Sequence, residues 1–125
     1  MVARVLVVDD DLLSLTLAES VLALLGVEVV SAKDGYECIA AFRTQRFDIV
    51  FMDHLMPNMS GLEATSEIRK IEGELGWPRT PLVALTASAF PSDIDAFFGA
   101  GVDDVLLKPY RIEALAAKLQ KWVPR

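Results

Sequence analysis

The sequence predicts a doubly wound α/β fold, in which helices cover both faces of a five-stranded parallel sheet. Three observations carry that expectation. Short, almost wholly apolar runs alternate with helical patterns from one end of the chain to the other, which is how strands buried on both faces and their crossover helices read. Hydrophobic residues make up 53% of the 125 residues, enough for a sheet covered on both sides and too many for a disordered chain. Several of the apolar runs also end on a residue with chemistry to offer: Asp10, Asp53, Thr86 or Lys108.

The elements follow in order. Val5-Leu6-Val7-Val8 is the first strand, closed by Asp9-Asp10-Asp11, where Asp11 suits the N-cap of a helix. Leu13, Leu17, Val21, Leu24 and Leu25 then recur at helical spacing, and Gly26 stops the helix. Residues 27–31 read as a short second strand. A second helix starts near Asp34-Gly35 and carries Tyr36, Ile39, Ala40 and Phe42-Arg43; Cys38 falls in its apolar pattern. Residues 47–52 form the third strand, ending against Asp53. A turn over 57–61 leads to a third helix marked by Leu62, Ile68, Ile71 and Leu75. Residues 76–81, with two prolines and a glycine, are a loop. The run 81–85 is the fourth strand and leads into Thr86. A helix over about 92–100 ends at Gly101, 103–107 is the fifth strand before Lys108-Pro109, and Ile112, Leu115, Ala116, Leu119 and Trp122 stripe the last helix.

Right-handed crossovers restrict such a chain to a few strand orders. The flavodoxin-like order 2-1-3-4-5 sets strands one and three side by side at the switch point, where ligands gather outside the carboxyl ends of the strands. Asp9, Asp10 and Asp53 then share one pocket although they are distant in sequence. Clustered carboxylates repel unless a cation or proton joins them. Mg²⁺ suits them, since it takes oxygen ligands and commonly bridges to phosphate. A carboxylate is also a nucleophile toward phosphorus, a Lys ammonium neutralises phosphoryl charge and a Thr hydroxyl donates to a phosphoryl oxygen. Asp10, Asp53, Thr86 and Lys108 match these four roles.

The chain resembles the receiver domain of two-component response regulators over its whole length, residues 1–125. The resemblance lies in VLVVDDD, FMDHLMPNMSGLEAT, PLVALTASA and GVDDVLLKP, in that order. It implies that Asp53 accepts a phosphoryl group from a histidine kinase or histidine phosphotransfer protein, and that Asp9, Asp10, Asp53 and the backbone carbonyl of Leu55 hold Mg²⁺. It implies further that Thr86 is the switch hydroxyl and Lys108 the phosphate-binding ammonium. The segments Glu63-Ala64-Thr65, Ile68-Arg69 and 115–122 look most like receivers attached to hybrid sensor kinases, whereas the initial Met1 favours a stand-alone receiver.

Departures from the family pattern concentrate near the site. Val105 stands three residues before Lys108, where the family usually has Tyr or Phe. Valine is small and stiff at χ1, so an inward-turning ring cannot report the state of Thr86; Tyr110 is expected to pack rather than replace it. Leu55 and Ser88 flank the approach of hydrolytic water, and Leu55 cannot hydrogen-bond a water, so slow self-dephosphorylation is expected. His54 adjoins the nucleophile, but successive strand residues point to opposite sides, which turns its ring out of the pocket. Ser60 replaces a common Asp with little effect beyond turn chemistry.

Composition narrows the remaining classes. The net charge of −6 argues against direct contact with nucleic acid or anionic membrane. The single Cys38 cannot form an internal disulfide, no stretch has the length of a membrane span and no secretory signal is present, so a cytoplasmic protein, monomeric or weakly dimeric, is expected. A phosphatase passing through an aspartyl phosphate would need a substrate cap that the chain has no insertion to supply, so the domain is not expected to be a turnover enzyme. A flavin carrier is disfavoured by the acidic first loop. The alternative is a pseudo-receiver, a binding module working without phosphate; the intact acids, Thr86 and Lys108 count against it and Val105 counts for it.

Overall fold

A computed structural model describes residues 2–124. The order of elements is β1 (Arg4–Val8), α1 (Leu12–Leu24), β2 (Glu28–Ala32), α2 (Gly35–Thr44), β3 (Ile49–Asp53), α3 (Gly61–Leu75), β4 (Leu82–Thr86), α4 (Pro91–Ala100), β5 (Asp104–Leu107) and α5 (Ile112–Trp122). All strand pairs are parallel, in the order β2-β1-β3-β4-β5. Most strand ends fall within a residue or two of those expected. β3 and β4 each run one residue further, so that Asp53 and Thr86 are the last residues of their strands rather than the first of their loops.

Alternation along the strands divides the interior into two layers. Val5 and Val7 of β1, with Phe51, Val83, Leu85 and Leu106, face α1 and α5 and pack on Leu15, Ala18, Val21, Leu22, Leu115 and Leu119. Leu6 and Val8, with Val50, Met52, Leu82 and Ala84, face α2, α3 and α4 and meet Cys38, Phe42, Ala64, Ile68, Ile71 and Phe97. Cys38 is a core thiol, pushed up to about 12 chiefly by burial. Val105 is half-buried on the second layer, and Tyr110 packs on the first, as its expected role requires.

The apolar stripe expected on α1 is not the one the fold buries. Leu15, Ala18, Val21 and Leu22 face the sheet, whereas Leu13, Leu17 and Leu24 are exposed, along with Leu12. This helix is apolar nearly all round and carries one charge, Glu19, so spacing alone cannot choose its buried face. Tyr36 and Leu75 are likewise exposed. Asp11 occupies the N-cap position of α1 without a side-chain cap bond; it accepts instead from the Ser14 hydroxyl at 2.6 Å, which holds its carboxyl below the usual range.

Ser60 does more than shape a turn. It caps α3 in a reciprocal box, accepting from Glu63 N at 3.2 Å while Glu63 accepts from Ser60 N at 3.5 Å. At the opposite end of the sheet, Arg69 of α3 donates to Glu72, Asp103 and the carbonyls of Thr80 and Gly101, all at 2.8–3.0 Å. Asp103 also accepts from Leu82 N and Arg79, and Glu72 accepts from Thr80 N at 2.6 Å. This network joins the α3–β4 and α4–β5 loops to one helix. A second one ties α5 to β5: Asp104 accepts from Val105 N, Lys118, Lys121 and the Trp122 indole.

Candidate functional site

Register places the chemistry. Val8 pairs with Met52, Asp53 with Leu85 and Thr86 with Leu107, so the residues at or just beyond these positions lie side by side at the carboxyl edge of the sheet. Asp9 follows β1 and is buried, Asp10 is exposed, and Asp53 ends β3 and is buried. One carboxylate oxygen of each lies within 4.8 Å of the others. Lys108 leaves β5 with its backbone N–H on the Thr86 carbonyl at 2.7 Å. Its Nζ then reaches back to donate to Asp9 Oδ2 and Asp53 Oδ1, both at 3.0 Å. The sheet thus brings Asp9, Asp10, Asp53 and Lys108 together at one edge, with Thr86 lining the same cavity.

These contacts set the protonation of the site. Burial pushes the Asp53 carboxyl up to about 6; Lys108 opposes this and the neighbouring Asp9 adds to it. Burial works against the Lys108 ammonium, but its bonds to Asp53 and Asp9 outweigh that and raise its pKa. Asp9 is further fixed by accepting from Asp11 N at 2.9 Å. Asp53 is fixed through the backbone that follows it: His54 N donates to Leu85 O and Gly61 N to His54 O, each at 3.0 Å. The residue at 61 has to be glycine, because a Cβ there would sit 2.4 Å from the Asp53 carbonyl oxygen.

A cavity of about 760 Å³ opens over these groups, lined by Asp9, Asp10, Asp53, Thr86 and Lys108 and continuing past Leu55 to Ser88, Phe90 and Asp93. Leu55 is exposed at its rim. The His54 ring turns away toward α4, as alternation requires, and stands edge-on to Phe97 at 4.7 Å. Its Nδ1 is buried without a partner, and the residue still borders the cavity. Of the outer wall the sequence indicates Leu55 and Ser88, but not Phe90, Asp93 or the bonds that join them. Thr86 Oγ1 accepts from Ser88 N at 3.1 Å, and Ser88 Oγ donates to Asp93 in the first turn of α4 at 2.5 Å. Nothing in the spacing of Ser88 and Asp93 announces this bond, which exists only once the β4–α4 loop is folded.

Oxygen-only donors around a buried, half-neutralised carboxylate can hold a hard divalent cation and present one carboxylate oxygen as a nucleophile. The sequence matches the profile of the response regulator receiver domain over residues 5–120. It is 40% identical over 119 residues to the sensor protein GacS of Pseudomonas syringae pv. syringae, covering 95% of this chain and 13% of that much longer protein. The fold is similar, with TM-score 0.88 and 34% identity over the full length of both chains, to the receiver domain of sensor histidine kinase PA1611 from Pseudomonas aeruginosa PAO1, a structure with a magnesium ion coordinated in its active site cleft. It is similar also, with TM-score 0.92 and 30% identity over 97% of this chain and 88% of the other, to the Saccharomyces cerevisiae Ssk1 receiver domain solved with the histidine phosphotransfer protein Ypd1. Four acid-, hydroxyl- and ammonium-bearing strand ends on a 2-1-3-4-5 sheet, and a match running through all of them, make this chain a member of the response regulator receiver domain family.

Proposed function

We propose that the domain is a phosphorylation switch in a two-component phosphorelay, with Asp53 as the phosphoacceptor. The observation that carries this reading is the Lys108 ammonium held 3.0 Å from both Asp9 and Asp53 within a three-carboxylate cluster. In the transfer, an Asp53 carboxylate oxygen attacks the phosphorus of a phosphohistidine. The new O–P bond forms as the N–P bond breaks, and the departing imidazole keeps the bonding pair and takes a proton from water. Lys108 balances charge on the phosphoryl oxygens and the Thr86 hydroxyl donates to one of them. The donor set fits Mg²⁺, which Asp9, Asp10, Asp53 and the Leu55 carbonyl would hold and which would supply further positive charge for those oxygens. The kinase is a separate protein or domain, so this one is a switch and not a turnover enzyme.

A protein donor, a histidine kinase or histidine phosphotransfer protein, is favoured by the rim of the cavity. Leu55 and Phe90 line the cavity and are exposed, and α1, which starts directly after Asp11, leaves Leu12, Leu13 and Leu17 exposed, apolar surface of the kind on which a partner's helix face docks. Among the described residues no helix is long and apolar enough to cross a membrane; a cytoplasmic site of action is part of the proposal and rests on the donor proposed for it. Intact mass after incubation with Mg²⁺ and a small phosphodonor tests the reading. Addition of one phosphoryl group, lost with Asp53→Asn and with chelator, is expected. No addition, with phosphotransfer proteins as donors as well, would instead make the domain a phosphate-independent binding module.

A further inference from the structure

We propose that Ser88 and Asp93 are positioning residues for the Thr86 hydroxyl and that, through them, the phosphoryl site is coupled to α4. The inference rests on the reading of Asp53 as phosphoacceptor and assigns roles to two residues outside the acid cluster. A hydroxyl has one proton to donate. Because Thr86 Oγ1 already accepts from Ser88 N at 3.1 Å, that bond fixes one side of the oxygen and leaves the proton free to be given to a group on Asp53. The position of Ser88 is in turn set by α4. Its Oγ donates to Asp93 Oδ2 at 2.5 Å and accepts from Phe90 N at 3.3 Å.

The helix depends on the same pair. Phe90, at the N-cap, has no side chain that can cap, and Pro91 opens the first turn without an N–H to offer. Ser88, two residues before the N-cap, bonds through its Oγ to Phe90 N and to Asp93 at the third helical position, and its backbone N–H holds the switch hydroxyl. Both residues line the cavity. Val105 is too small to pass a movement of Thr86 to the surface by turning a ring, whereas the Thr86–Ser88–Asp93 chain reaches α4 with hydrogen bonds alone. Coupling of this kind is reciprocal: what anchors the first turn of α4 favours the phosphorylated site, and phosphorylation is felt at α4.

Asp93 also puts a negative charge on the wall of an anion-binding cavity, an influence of opposite sign, and the test has to separate the two. Beryllofluoride with saturating Mg²⁺, which mimics a phosphoryl group on a carboxylate, is titrated against the whole chain by NMR, with Mg²⁺ affinity measured separately. Ser88→Ala, which changes no charge, is expected to weaken beryllofluoride binding roughly fivefold, the scale of one hydrogen bond. Ser88→Thr keeps the hydroxyl and is expected to restore it to within about twofold, and Mg²⁺ affinity should stay within about twofold throughout. Asp93→Ala is expected to weaken binding when Ser88 is present and not when Ser88 is already Ala, the non-additivity that marks action through a shared bond. Unchanged affinity in Ser88→Ala, or the same effect of Asp93→Ala in both backgrounds, overturns the coupling. If the unsubstituted chain fails to bind beryllofluoride at all, the phosphoacceptor reading falls and takes the coupling with it.

Discussion

Replacing Asp53 with Asn should make the metal-free domain more stable, and the gain should depend on pH in a defined way. Asp53 ionises near pH 4 in the unfolded chain, but burial, offset in part by Lys108, raises it to about 6 in the folded one. The folded state therefore holds its proton more tightly. Stability is fully present below about pH 4, falls as pH rises through the window from about 4 to about 6, and stays reduced above it. The full interval corresponds to about 3 kcal/mol. Water entering the cavity, and the pairing that Lys108 loses on substitution, reduce the net gain of the neutral isostere to about 1–2 kcal/mol. For a chain of this length that raises the melting temperature by about 4–8 °C. The assay is thermal unfolding in chelator at pH 4 and pH 7.5. Asp53→Asn should match the unsubstituted protein at the lower pH and exceed it at the higher. Added Mg²⁺ should then reverse the order, since ligand stabilises only the form that binds it, by about 2.7 kcal/mol at a hundredfold excess over Kd. An equal or lower melting temperature for Asp53→Asn at pH 7.5, or a gap that does not change between the two pH values, would refute the electrostatic account.

Other substitutions separate architecture from chemistry. Burial opposes ionisation of Asp104, but its bonds from Trp122, Lys118, Val105 N and Lys121 hold it at about 2; Asp104→Ala should cost about 1 kcal/mol at neutral pH after screening. Because the folded pKa is depressed, that difference should vanish as pH falls from about 4 to about 2, as followed by Trp122 fluorescence during urea unfolding. Gly61→Ala should lower both urea stability and Mg²⁺ affinity, because its Cβ meets the Asp53 carbonyl at 2.4 Å and that backbone has to move. Arg69→Met, which strands Glu72 and Asp103 in a half-buried network, should cost about 3–5 kcal/mol while leaving Mg²⁺ affinity per folded molecule unchanged. Leu55→Asn should speed phosphate loss severalfold by giving the hydrolytic water a partner, read as the decay of phosphorylated mass; an unchanged rate would remove Leu55 as a determinant.

The fold was legible because its signals are redundant. Each strand is a short apolar run with a polar stop, and a parallel sheet needs little more to be recognised. The acid, hydroxyl and ammonium positions were legible for a related reason: strand ends are where register does the assembling, so a residue located at such an end in sequence is located in space. The buried face of α1 was not legible, since leucines surround the helix and its true stripe, Leu15, Ala18 and Leu22, competes with a parallel one through Leu13, Leu17 and Leu24. The Ser60 capping box was present as Ser-x-x-Glu and could have been read. The Arg69 and Ser88 bonds could not. Arg69 meets Asp103 across 34 residues, and Ser88 meets Asp93 only through the shape of one loop.

The two edges of the sheet are built on opposite terms, and the division explains which changes should do what. At the amino edge, charges occur in compensating sets: the Arg69 guanidinium answers Glu72, Asp103 and two carbonyls, and Gly76 and Gly101 close α3 and α4 in left-handed turns that suit glycine. At the carboxyl edge, one ammonium faces three acids, and the cavity over them is lined in part by the exposed Leu55 and Phe90. That edge is under-neutralised and under-covered, which a chain selected for stability alone would correct. On the proposed function, the deficit of positive charge would draw in a divalent cation, that cation would offset the charge of a phosphoryl group, and the exposed apolar side chains would meet a donor. Substitutions at the amino edge should therefore lower stability and spare binding. Neutralising substitutions among the acids should raise stability and abolish binding, and a domain in which both edges lowered stability would not be organised as the charge distribution indicates.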